Sequence, residues 1–145
     1  VSDVVLNSLT IIVVADDAPN VIDIGPNVGI TGGVSVRRDS GSDTMKKLQI
    51  TIRGPRTTIN GSIGHATTVA DWKMSLLFMT LRGGFSWPSN QGHDDTEMTI
   101  TGSHIGVDES DALRLIGHGY RESRGVIVNV RDSTFYQQVN VIEHV

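Results

Sequence analysis

The stretch "ATTVADWKMSLLFMTLR", residues 66–82, decides the fold. Two periods run through it. Val69, Trp72, Leu76 and Met79 recur at the spacing of one helix face, and Leu77 and Leu81 widen the stripe. Thr68 followed by Asp71 has the form of an N-cap and its partner three residues on. Gly83 and Gly84 supply a stop. These signals predict a helix over 69–82. A buried strand across "KMSLLFMTL", residues 73–81, is the competing reading. A second helix is expected in "DESDALRLIGHGYRES", residues 108–123. Its acidic opening suits a helix N-terminus, and Leu113, Ile116 and Tyr120 follow at helical spacing.

Outward from these segments the pattern is β. "LTIIVVA" (9–15) is short and β-branched, "VIDI" (21–24) is a brief extended piece, and "GVSVRR" (33–38) alternates. "KLQITIR" (47–53) alternates cleanly, with Leu48, Ile50 and Ile52 facing in. "EMTITG" (97–102), "VIVNVR" (126–131) and "FYQQVNVIEHV" (135–145) complete the set. The turn-forming "DSGSD" (39–43) suggests that 33–38 and 47–53 pair as a hairpin. No internal repeat or linker is read from the chain. The expected architecture is α+β: residues 1–145 form a single globular domain, an antiparallel β-sheet packed against two α-helices. An all-β sandwich is the alternative.

Composition narrows the function classes. The 145 residues carry a formal charge of −4, which argues against a dedicated nucleic-acid binder. There is no Cys, hence no disulfide framework, thiol nucleophile or Cys–zinc site. No apolar run reaches the roughly 18 residues of a spanning helix, and the first residues lack the basic region of a signal peptide. Half of the twelve basic residues fall in 37–56: Arg37, Arg38, Lys46, Lys47, Arg53 and Arg56. If clustered in space, they would form a contact for an anionic surface, either lipid headgroups or RNA phosphates.

The inventory for catalysis is thin. The five His show no metal-ligand spacing. "HDD" at 93–95 reads as a solvated flank. Ser103, His104 and Asp108 suggest a triad only by proximity in sequence, with no strained nucleophile turn around them. No catalytic residue, cofactor or metal is expected. The strongest feature is the loop "GGFSWPSNQGHDD", residues 83–95, which sets Phe85, Trp87 and Pro88 among Gly, Ser and Asn. Large aromatics dominate interface energetics, so these three residues are the expected self-association anchor, with the competing reading that Phe85 and Trp87 fold back to plug the core.

From residue 47 onward the chain resembles the matrix proteins of rhabdoviruses. "LQITIRGPRTT" leads into a segment carrying "VADW". "TEMTIT" is similar to a late strand of that family. "LRLIGHGYRESRGVIVNVRDSTFYQQVNVIEHV" resembles its last helix and closing strands. The resemblance implies a structural viral protein, not an enzyme, that self-associates in a layer between membrane and nucleoprotein during virion assembly. Its partners would be further copies of itself, an anionic membrane surface and viral nucleoprotein, with no specific small molecule. Its location would be the virion and the host cytoplasm or inner membrane surface. Two other classes are weighed with it: a coat, decoration or tail-type β-rich virion protein, and a cellular β-rich binding module.

Overall fold

The computed structural model describes residues 3–13, 20–38, 48–65, 72–86, 95–108, 111–114 and 125–140. Seventeen strands and no helix are found among them. In chain order they are β1 (Val4–Leu6), β2 (Leu9–Val13), β3 (Asn20–Ile24), β4 (Val28–Ile30), β5 (Val34–Arg38) and β6 (Leu48–Arg53). Then come β7 (Thr58–Ile59), β8 (Ile63–His65), β9 (Trp72–Leu77), β10 (Thr80–Leu81), β11 (Phe85–Ser86) and β12 (Glu97–Thr101). The last are β13 (His104–Ile105), β14 (Asp111–Arg114), β15 (Ile127–Arg131), β16 (Thr134–Phe135) and β17 (Gln138–Asn140).

Each strand bonds to the strand three further along the chain. The first sheet runs β1-β4-β7-β10-β13-β16, the second β17-β14-β11-β8-β5-β2, and the third β15-β12-β9-β6-β3. Every pairing is parallel. The chain therefore winds through three sheets per turn and stacks turn upon turn. This is a parallel β-helix.

The winding explains why strands as short as two residues are stable: each, apart from β16 at the edge of its sheet, is bonded to the coils on either side of it and buries its inward face. Inward residues stack like upon like. The first sheet contributes the column Leu6–Ile30–Ile59–Leu81–Ile105–Phe135. The second contributes Leu9–Val34–Ile63–Phe85. The third contributes Ile22–Ile50–Met74–Met98–Val128 and Ile24–Ile52–Leu76–Ile100. Apart from Leu6, Leu9, Ile22, Val28, Val128 and Phe135, which are partly buried against it, the core is closed to solvent.

The α+β expectation is thus corrected. Trp72 is buried as expected, but on β9, where Trp72, Met74 and Leu76 point in and Lys73 points out. The helical spacing of 69–82 arises by coincidence. β9 ends at Leu77; Phe78 then turns the chain in the left-handed region at φ 52, and Met79 and Leu81 belong to the next face. In the second expected helix, Asp111–Arg114 is strand, while 115–123 lie outside the described residues. The hairpin is corrected as well. β5 and β6 sit in different sheets, and each pairs in parallel with neighbouring coils. The sandwich alternative fails on the same parallel pairing.

A repeat is present after all. "NVGITGGVS" (27–35), "RTTINGSIG" (56–64) and "FMTLRGGFS" (78–86) occupy equivalent places in three successive coils. Each opens on a left-handed residue at the corner between third and first sheets. Asn27, Arg56, Phe78, Gly102 and Asp132 fill that place, with φ between 51° and 62°. The next corner, between first and second sheets, stacks Gly32, Gly61 and Gly83. The Gly61 amide donates to the Gly32 carbonyl at 2.8 Å. A Cβ on Gly61 would lie 2.6 Å from the Gly32 carbonyl carbon, so only glycine permits that approach.

Candidate functional site

The coil places most of the expected site residues apart. Phe85 does not project: its exposure is 0%, and its ring centroid lies 6.5 Å from that of Trp72. It is a core residue, which corrects its reading as an anchor. Trp87 and Pro88 lie outside the described residues, as do His93 and Asp94. Asp95 is exposed at φ 49.

The described basic residues do not share one sheet face. Arg37 is exposed on the outer face of the second sheet, in register with Ile12. Arg38 shares β5 with it. Arg53 is on the third sheet, where it pairs with Asp23 at 2.9 Å. Arg56 is at the corner between third and first sheets, and its Nε donates to Asn27 Oδ1 at 2.8 Å. Lys46 and Lys47 lie outside the described residues. The hairpin that would have gathered the cations is absent, because β5 and β6 face different directions.

The Ser103, His104 and Asp108 grouping also separates. Ser103 is 1% exposed. Its hydroxyl lies 3.2 Å from the Leu76 carbonyl and 3.0 Å from that of Thr101, and accepts from the Met79 amide at 3.3 Å. It satisfies backbone groups where a coil turns, as a buried hydroxyl must. His104 points outward, and Asp108 pairs with Arg82. Among the described residues no group of three or more His, Asp or Glu could hold a metal ion. No helix there is long and apolar enough to cross a membrane.

Two surface features remain. One is a shallow groove of about 490 Å³ on the second sheet, floored by Thr10, Ser35 and Gly64 and edged by Ser8, Gly33 and Ser62. Ser35 Oγ donates to Thr10 Oγ1 at 3.3 Å across it. The other is a cluster on the first sheet and its following corner. His104 Nδ1 lies 3.0 Å from Tyr136 Oη, with ring centroids 6.0 Å apart and tilted by 36°. Arg82 grips Asp108 through Nε at 2.9 Å and a second amino group at 3.2 Å. Thr80 and Thr134 flank His104 in register on the adjoining coils. Sequence reasoning missed this cluster, because its members are 26 and 32 residues apart. Aligning the repeated segments would have found it, since that alignment sets Arg82 and Tyr136 at the same place in their coils.

No family model, curated protein or solved structure matches this chain.

Proposed function

We propose that the chain is a non-catalytic structural protein of a virion, of the coat, decoration or tail type, acting as a rigid element that associates with copies of itself. The supporting observation is the coil stack. Parallel ladders tie each interior coil to both neighbours, and one outward column of the third sheet is of short hydroxyl side chains, Thr51, Ser75 and Thr99. Such a body suits a stiff support with flat sides. The coat, decoration or tail-type class is one of those weighed from the sequence beside the matrix resemblance. The matrix layer drew on two helices beside a sheet, and the described residues hold no helix. The coat or tail-type reading needs only a β-rich body and is the one this fold favours. The reading of a cellular binding module differs in a measurable way, because such a module would work as a monomer.

Light scattering over a concentration series at two salt levels, with electron microscopy of the same samples, tests the proposal. Mass that rises with concentration, together with regular rods or arrays, is expected. A monomer at every concentration and both salt levels would contradict it.

A further inference from the structure

We infer that the face bearing Tyr136, His104, Arg82 and Asp108 is a binding site for a neutral, hydroxyl-rich ligand, a saccharide chain. It goes beyond the structural role and rests only on the fold. Two contacting side-chain pairs from three successive coils lie on that side, His104 with Tyr136 and Arg82 with Asp108. Their order follows from the register: Arg82 on the coil of β10, His104 and Asp108 on that of β13, Tyr136 on that of β16. Successive coils are about 4.8 Å apart, so the four are spread over roughly 10 Å along the coil axis. All four are exposed. Tyr136 is 49% exposed, leaving ring surface for the apolar face of a sugar.

The chemistry selects the ligand class. Arg82 and Asp108 neutralise each other, and together they offer donors and acceptors side by side. With Nδ1 of His104 turned to Tyr136, Nε2 is the ring nitrogen left to a ligand. A polyanion would need uncompensated positive charge, and Asp108 opposes it. A protein partner would need a standard interface of about 800 Å² a side with an apolar centre, and Tyr136 is the one large apolar group in the cluster. Vicinal hydroxyls of a sugar match a planar guanidinium and carboxylate, as well as the Thr80 and Thr134 hydroxyls on either side.

The test is affinity electrophoresis of the intact chain in gels containing soluble amylose, mannan, hydroxyethylcellulose or polygalacturonate. Retardation by at least one neutral polymer is expected, unchanged by added salt. Tyr136→Ala and Asp108→Asn should each weaken it by about tenfold, while Thr51→Val on the third sheet should leave it intact. Tyr136→Phe should retain most of it, because the ring is kept. Melting curves of the variants show that the fold persists. The inference is overturned if no neutral polymer retards the protein, if only polygalacturonate does so in a salt-sensitive way, or if Tyr136→Ala binds as the parent does.

Discussion

Among the described residues Trp72 is the largest side chain fully enclosed by the coil. It stacks under Leu48 in the third sheet and meets Phe85 of the second, so it joins two walls of the prism. Trp72→Ala should cost about 3–5 kcal/mol in denaturant unfolding, the range for a buried large aromatic. A loss below about 0.5 kcal/mol, typical of surface sites, would remove Trp72 from the core. Thr96 gives the opposite expectation. It is 1% exposed, and its hydroxyl has no hydrogen-bond partner. An unmet buried hydroxyl costs about 1–3 kcal/mol, so Thr96→Val should leave stability unchanged or raise it. A clear fall in melting temperature would mean that the hydroxyl is in fact bonded.

The elements are held in register by their corners as much as by their strands. A Cβ on Gly61 would strike the Gly32 and Gly33 backbone of the preceding coil, as one on Gly83 would strike Gly61. Gly61→Ala should destabilise by about 1–3 kcal/mol or more, since the stacked backbones must part to admit a methyl group. Stability within 0.5 kcal/mol of the parent would show that the corner column is looser than described. Individual strands were legible in the sequence where alternation was clean. "KLQITIR" gave β6 and its inward set, and "EMTITG" gave β12. The segment 69–82 misled because a six-residue strand, a one-residue left-handed corner and a second strand together imitate a helix face. A Phe at positive φ carries no local signal for such a corner, whereas Gly102 in the equivalent place would.

At the scale of the molecule the coil was hidden by its uneven period. Val4 and Val28 pair after 24 residues, Thr58 and Thr80 after 22, and His104 and Thr134 after 30. The variation comes mainly from the segments between second and third sheets, so no single repeat length stands out, although "NVGITGGVS", "RTTINGSIG" and "FMTLRGGFS" align without a gap. The candidate site was less legible still. In the sequence His104 stands out only for its neighbours Ser103 and Asp108, whereas Tyr136, which it meets in space, lies on the next coil. The central claim is that successive coils stack in parallel and in register, and one cross-link tests it. The chain has no Cys, and Gln49 and Lys73 are exposed, registered neighbours on β6 and β9. Adjacent strands lie about 4.8 Å apart, within the roughly 4.4–6.8 Å Cα separation of a disulfide. The variant with Gln49→Cys and Lys73→Cys should therefore form an intramolecular disulfide on mild oxidation of the native protein, detected by mass spectrometry. Two free thiols in a folded protein after the same oxidation would contradict the coil.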